Sequence, residues 1–406
     1  MNIISQGNRI LFYLTLQTIV LSDAEMNSNS IQTLPVRGTR MLNDYIRMAW
    51  TINASDPNWV PPLILDVKEF LDPKKHPFYT YGRAEKFIAY RDGKPVGRIL
   101  VSDDPHLNEE KNSSVGAWGM FECINDQEVA NSLLQTAENW SRENWGRTSI
   151  VGPMDYSCNY PIGLLIKGFD TPPRYMMNHN PPYYENLVLS AGYNQVKTLY
   201  AWRFDDNLNM LEKWAKRIKW IENRTNVTVR PFDKKNFASD VDACRTVYNE
   251  AQTVHWNYAT LTEKEFQYYA SKLVEFARAE QVLLAFDNDK PVGFAITLDD
   301  FNEAIKYANG KLFWYGCLPI GLIRILWAKR HIKTGRMMAL CVNKDYRNRG
   351  VSEMLIYKTL DYGRMVLKYT QAELGWTFAD NDKVNRIIER VGGVPYKTYG
   401  MYEKNI

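Results

Sequence analysis

The chain has 406 residues, enough for two or three ordinary domains, with 45% apolar residues, 24% charged residues and a formal net charge of +4. This is the make-up of a folded globular protein: the charge is too small and too mixed in sign to mark a nucleic-acid binder, and 13% aromatic residues argue against disorder. Five cysteines, Cys123, Cys158, Cys244, Cys317 and Cys341, are scattered and never spaced as CxxC, so reduced thiols, an intracellular location and no structural metal are expected.

The apolar run Ile10 to Leu21, after Arg9 and before Ser22-Asp23-Ala24, has the outline of a short signal peptide. Residues 1–30 are read instead as an unstructured or mis-started leader, because the chain from Ile31 onward looks cytoplasmic, and twelve apolar residues are too few to span a bilayer as a helix. From Ile31 the pattern becomes domain-like. Val36-Arg37 is expected to open a first strand, Met41 to Thr51 to be helical, and Asp56 to Pro62 to form an aromatic loop around Trp59. Asp92-Gly93, between Glu85–Tyr90 and Pro95–Val101, predicts a hairpin because this pair tolerates the positive φ angles of a tight turn. Next come a strand near Gly116 to Glu122, a helix over Gln127 to Trp145 and a strand over Thr148 to Val151. Gly152 to Pro182 then shows no periodicity. It is too apolar for disorder, and is expected to wall a substrate pocket or to clasp two halves together.

Much of this recurs. Phe87 to Gly97 is echoed by Leu283 to Gly293 at an offset of 196, Gly192 to Thr198 by Gly392 to Thr398 at an offset of 200, and Trp59 by Trp256 at 197. Three echoes in one order at nearly one offset predict two copies of one fold, residues 31–204 and 205–406, with a helix near Asn207 to Ile221 opening the second.

In the second copy Leu283 to Leu298 is expected as a hairpin followed by Asp299 and Asp300 in a solvated turn. The stretch Phe301 to Gly335 is a second insert. Its segment Leu312 to Trp327 is broken by Pro319 and Arg324, so it cannot span a membrane; it is expected either to lie in a membrane interface or over an acyl chain, or to be an arm buried between the copies. Arg336 to Val342 then reads as a buried strand, and Val351, Met354, Leu355, Tyr362, Met365 and Val366 mark one apolar helix face. Between them lies Asn343 to Gly350. At such a strand-to-helix turn the unpaired N–H groups and the positive end of the helix dipole favour an anion, which Gly350 lets approach and which Arg347, Arg349 and Ser352 can contact.

The unit Arg347-x-x-Gly350-x-Ser352 resembles the pyrophosphate loop of the GNAT acyltransferases, Arg/Gln-x-x-Gly-x-Gly/Ala, departing only at Ser352. The likeness extends over Ile31 to Lys404 and is similar to a bacterial group of two-domain GNAT proteins, on Asn180 to Tyr184, Tyr346 to Gly350 and Val391 to Gly393. It implies an α/β fold of two tandem GNAT-like domains, each a mixed, mostly antiparallel sheet flanked by helices. It also implies acetyl-CoA or a longer acyl-CoA as acyl donor, an amine acceptor and no metal. Cys341, Val342, Arg347, Asn348, Arg349, Gly350, Val351 and Ser352 would bind the donor. The first copy has Glu122 to Gln127 at that place, without glycine, and is expected to bind no pyrophosphate.

In many GNATs a tyrosine seven residues after the asparagine that opens the last helix acts as acid; here, counting from Asn381, Ile388 stands there. Catalytic expectations therefore fall on Glu373 or His255 as base, with Asp380 a further candidate, and on Tyr399 among Tyr396, Tyr399 and Tyr402 as acid. The acceptor is expected between the copies near His255 and Trp256: a small amine, or a lipid amine such as a sphingoid base. In the lipid case the 312–327 segment would touch the membrane peripherally at its inner face. The rival is a non-catalytic GNAT-fold sensor.

Overall fold

The computed structural model describes residues 30–205, 208–252 and 256–406. Its first half runs β1 (Ile31–Pro35), α1 (Gly38–Asn53), α2 (Ile64–Phe70), β2 (Arg83–Arg91), β3 (Lys94–Asp103), α3 (Pro105–Lys111), β4 (Val115–Cys123), α4 (Gln127–Trp145), β5 (Ser149–Gly152), β6 (Leu164–Lys167), α5 (Tyr184–Ser190) and β7 (Asn194–Asp205). The second runs α6 (Leu208–Glu222), β8 (Val227–Pro231), α7 (Phe237–Gln252), α8 (Glu263–Phe276), β9 (Val282–Asp287), β10 (Lys290–Asp299) and α9 (Asn302–Ile305). It continues with α10 (Ile320–Lys329), β11 (Thr334–Val342), α11 (Val351–Met365), β12 (Gln371–Phe378), α12 (Asp382–Arg390) and β13 (Val394–Asn405). The leader 1–29 and His255 lie outside the described residues.

All strands join one mixed, mostly antiparallel sheet in the order β1-β2-β3-β4-β5-β13-β7-β12-β11-β10-β9-β8, with β6 on β13. The last strand of each half is seated beside the other half: β13 pairs β5 and β7 pairs β12. At the centre β7 and β13 pair antiparallel, with Leu199 opposite Tyr399, Thr198 opposite Gly400 and Tyr200 opposite Thr398. At an offset of 200 these pairs map onto one another, so a pseudo-twofold axis passes through Leu199 and Tyr399. The flanks obey it too, since β4–β5 and β11–β12 are the parallel pairs.

Helices cover both faces. Val129, Ala130, Leu133, Leu134 and Ala137 of α4 recur at helical spacing and pack on Phe87, Ile99 and Val101, while α1 covers the opposite face through Tyr45 and Ile46. In the second half α6, α11 and α12 pack on one face through Ile221, Met354, Leu355 and Ile388, and α7 packs on the other through Val241, Cys244 and Val247. Each fully buried aliphatic chain contributes about 1.5–3 kcal/mol, so both halves hold substantial cores.

Three expectations are corrected. The first strand starts at Ile31, where the sequence alternates in burial, and Val36 sits just beyond it with its N–H on the Lys86 carbonyl at 2.8 Å. Asp299 and Asp300 are not a solvated turn: both are buried, Asp300 paired with Arg174 at 3.0 Å and Asp299 with Arg278 at 3.0 Å. The second insert is not buried between the halves. Tyr315 is 86% exposed, Ile323 60% and Trp327 58%.

The shared seam is expected to make the halves one cooperative unit. Met401→Ala, at a fully buried seam position, is expected to cost about 2–5 kcal/mol. Denaturant unfolding should show a single transition for both halves, shifted as a whole.

Candidate active site

The loop between β11 and α11 is built around two left-handed residues, Asn348 (φ 64°) and Gly350 (φ 84°). Gly350 is the N-cap of α11, and no side chain caps that helix end. A Cβ there would meet Ile221 Cγ2 at 2.7 Å, so glycine is required by both conformation and space. Cys341 and Val342 end β11, buried against Phe294 and Gly293. Arg347 is turned back to brace the loop, its guanidinium on the Ala251 carbonyl (3.1 Å) and the Val342 carbonyl (3.4 Å). Arg349 lies 5.3 Å over the Tyr346 ring and is exposed. Val351 is buried and Ser352 half-buried in the first turn. The residues present fit an anion at this helix end, with Arg347 as a support.

The first half answers the same positions differently. Its helix α4 begins with Asp126, whose carboxylate accepts the N–H groups of Glu128 (2.9 Å) and Val129 (3.2 Å) and pairs with Arg91 at 2.7 Å. That helix end is filled by the chain's own anion. A second contrast lies where the parallel strands part. β11 and β12 pair only over Thr334–Met337 and Gln371–Leu374 and then separate, next to an irregularity in β11 around Met338. The equivalent wedge of the first half is closed: Met154 N–H donates to Trp118 O at 2.7 Å, and Asp155 accepts the Met120 N–H at 2.8 Å. Burial pushes the Asp155 carboxyl up to about 6.

Glu373 stands beside the open wedge. Gly97 pairs with Cys123 and Gly293 with Val342, so β4 and β11 superpose at an offset of 219. Ala117, opposite Val151, then corresponds to Arg336, opposite Glu373. Two apolar residues in one half are thus a charged pair in the other. Glu373 is 1% exposed; Tyr396 O–H donates to its Oε2, and Arg336 Nε lies 3.4 Å from its Oε1 without hydrogen-bond geometry. Oε1, Arg336 Nε and the Tyr399 hydroxyl are all buried without a hydrogen-bond partner. Three polar atoms buried without hydrogen bonds around one carboxylate call for a polar partner.

Burial pushes the Glu373 carboxyl up to about 7 against the pull of Arg336. Between its ordinary 4.5 and about 7 the folded chain holds a proton the unfolded chain has lost, so this group subtracts stability as pH rises through that window. Burial lowers the neighbouring Lys397 to about 8; its ammonium donates to the carbonyls of Gly168 and Thr171. Arg336 also donates to Met177 Sδ at 3.0 Å, and Arg174 bonds Asp300 (3.0 Å) and Gln371 (3.2 Å). The first half's 152–182 stretch therefore walls the second half's carboxylate.

Glu373 lies near enough to Tyr399 for its charge to act on the Tyr399 hydroxyl. Tyr399 lies on β13 at the axis, where burial raises its hydroxyl far above the usual range and keeps it protonated. Asp380 is exposed and pairs with Lys197. The aromatic loop after His255 packs on the wedge, Trp256 6.0 Å from Phe378 and Tyr258 6.5 Å from Trp376. Arg336, Lys397, Arg174 and Met177 were missed as site residues. Their only signal was placement: two cations inside runs that otherwise read as buried strands.

An open helix end and a desolvated carboxylate, on a doubled sheet, are parts that a group-transfer enzyme built from two copies of one fold can use. Residues 241–392 match the family described as "Acetyltransferase (GNAT) family". Over 380 residues the chain is 31% identical to "Bacterial ceramide synthase" of Caulobacter vibrioides (strain NA1000 / CB15N), covering 92% of this chain and 97% of that protein. It is 30% identical to "Protein YghO" of Escherichia coli (strain K12), covering 90% and 93%. Among solved structures, a tandem GNAT protein from the clavulanic acid biosynthesis pathway covers 93% of this chain and 98% of its own with a TM-score of 0.53 at 9% identity, a likeness of fold. The chain belongs to the GNAT family and is an N-acyltransferase. Members of this family use an acyl-CoA as substrate. Among the described residues no cluster of side chains could hold a metal ion, and no helix is long and apolar enough to cross a membrane.

Gly350→Ala is expected to cost about 1–3 kcal/mol of stability and to weaken acyl-CoA binding, measured by calorimetry, by about tenfold or more. Asp126→Ala, at the self-capped helix of the first half, should cost about 1 kcal/mol and leave that affinity unchanged.

Proposed function

We propose that this protein moves a long acyl group from an acyl-CoA to the amino group of a single-chain lipid, with a sphingoid base as the leading acceptor class. The observation that carries the reading is Glu373: a buried carboxylate with one oxygen held by Tyr396 and the other facing Arg336 without a hydrogen bond. Such a group accepts a proton from an amine near neutral pH. In this reading the N–H groups at Gly350, Val351 and Ser352, with Arg349, hold the donor's phosphates, and Arg347 with Asn348 sets the loop. The donor supplies a thioester carbonyl open to attack. Arg336 keeps Glu373 partly ionised, and the Tyr399 hydroxyl is the proton donor within the same enclosure.

The lipid nature of both substrates is supported by the relative named ceramide synthase and by the second insert. Eight of the seventeen large exposed hydrophobics among the described residues lie between Tyr307 and Trp327. Residues 304–335 carry Lys306, Lys311, Arg324, Lys329, Arg330 and Lys333 and no acidic residue. An apolar face rimmed by cations suits the interface of an anionic bilayer, where each Lys or Arg near the surface contributes about 1 kcal/mol.

Thiol release with acyl-CoAs of increasing length and a panel of amines tests the reading. Palmitoyl-CoA with a long-chain amine should be preferred; a preference for acetyl-CoA with small amines would instead assign short-chain acetylation. Below pH 7 the rate should rise about tenfold per unit and level off above. Glu373→Gln should lose about 10²–10⁴-fold in kcat, without that limb, and its stability should no longer fall between pH 4.5 and about 7. Co-sedimentation with anionic vesicles should be lost in Ile323→Ser/Trp327→Ser and at high salt; equal sedimentation of this variant would remove the insert from the membrane reading.

A further inference from the structure

A cavity of about 450 Å³ opens where three distant stretches meet: the end of α1 with the 56–61 loop, Pro172, and Lys306 to Asn309 at the start of the second insert. Its walls are the rings of Trp50, Trp59 and Tyr307 with Pro57, Pro61 and Pro172. It is held in place from several sides. Trp50 Nε1 donates to Asn309 Oδ1 at 3.0 Å, Ile64 N–H donates to the Gly310 carbonyl at 2.9 Å, and a Cβ on Gly310 would strike Trp50 at 2.3 Å. Its size is that of a small-ligand site.

Asp56 is the acid in this cavity. Its Oδ2 lies 2.6 Å from His179 Nε2 and its Oδ1 accepts the Asn58 N–H at 2.8 Å. Burial opposes its ionisation, but these hydrogen bonds outweigh burial and hold its carboxyl below the ordinary value. His179 is buried behind it, and its Nδ1 has no hydrogen-bond partner. An anionic group framed by two indoles is complementary to an organic ammonium. The Tyr307 ring already carries one, the Lys306 ammonium at 5.2 Å.

The cavity also lies between the two features an amphiphile would need. On the outer side Tyr307 joins the exposed apolar surface: its ring is 6.3 Å from Trp327, and Arg324 donates to its carbonyl at 3.4 Å. On the inner side, Pro172 follows Thr171, whose carbonyl takes Lys397 Nζ at 2.7 Å, and is five residues from Met177, which touches Arg336. Five residues span at most roughly 17 Å, so Pro172 in the cavity wall lies within that distance of Met177, which borders the Arg336–Glu373 pair.

We propose that this cavity receives the acceptor, binding a single-chain alkylammonium through Asp56 and the Trp50/Trp59 walls as it passes from the apolar insert toward Glu373. The proposal rests on the lipid-amine reading above and adds the place of recognition. The probe is dodecylammonium below its micellar concentration, titrated into the full chain without acyl donor and followed by tryptophan fluorescence and calorimetry. Binding should weaken about tenfold or more in Asp56→Asn and in Trp59→Ala, dodecanol should not compete, and the KM for a long-chain amine should rise while the affinity for acyl-CoA holds. Asp56→Asn keeps the shape and the His179 contact, so it reads charge without unfolding the loop. Wild-type affinity in both variants, or dodecanol binding as tightly as dodecylammonium, overturns the proposal. Glu373→Gln separates the two readings, since it should cut transfer by about 10²–10⁴-fold while leaving dodecylammonium binding intact. If the wild type binds the probe through Asp56 yet acylates no amine, the cavity stands and the acceptor reading above falls.

Discussion

The antiparallel pairing of β7 with β13 is the constraint on which the rest of the molecule depends. Each strand closes the other half's sheet, so neither half can satisfy its backbone hydrogen bonds alone. The exchange also carries side chains across. Tyr396, Lys397 and Tyr399 reach Glu373's surroundings from β13, and the 152–182 stretch is pinned there because Lys397 donates to the Gly168 and Thr171 carbonyls. A site assembled this way has walls from both halves and little water, which is what raises the Glu373 proton affinity.

The two halves show how a duplicated fold can divide labour by very few changes. The same strand pairing presents Ala117 and Val151 on one side and Arg336 and Glu373 on the other. The same helix start is capped by Asp126 in one half and left open at Gly350 in the other. The first half's wedge holds Asp155, an internal carboxylate on a strand amide, where the second half's strands simply part. A helix end or strand amide bound to a chain carboxylate is already satisfied and has no use for a ligand anion. In the first half these backbone groups are bound by the chain's own Asp126 and Asp155.

Much of the fold was legible because its signals are local. The Asp92-Gly93 turn, the apolar stripe of Gln127 to Trp145 and the glycine before Val351 each follow from backbone geometry and period, and helix α4 has the predicted bounds. The internal echoes gave the doubling, and in Gly192 and Gly392 they marked the strands that turn out to meet at the axis. What could not be read was pairing across the seam. Nothing local says that Glu373 faces Arg336, that Lys397 reaches back to Gly168, or that Asp299 and Asp300 are buried by arginines from 21 and 126 residues away. Charges in apolar strands are visible in a sequence; their partners are not. Period likewise separated the second insert from a spanning helix but could not choose between a buried arm and an exposed one, since both bury or expose the same apolar residues.

Among the described residues that insert holds the densest run of exposed large hydrophobics. Leaving Ile323, Leu326 and Trp327 in water forgoes about 1.5–3 kcal/mol for each side chain that could have been buried. Yet the segment is not loose: Arg324 lies over the Trp314 ring at 4.9 Å and bonds the Tyr307 carbonyl, and Gly321 is packed so tightly that a Cβ would strike the Lys311 carbonyl at 1.8 Å. A segment held this firmly with its apolar side outward and no acidic residue is what the proposed contact with an anionic surface requires. Tyr307 belongs both to that surface and to the cavity behind it, so the exposed face and the cavity that holds Asp56 and Lys306 adjoin through one ring.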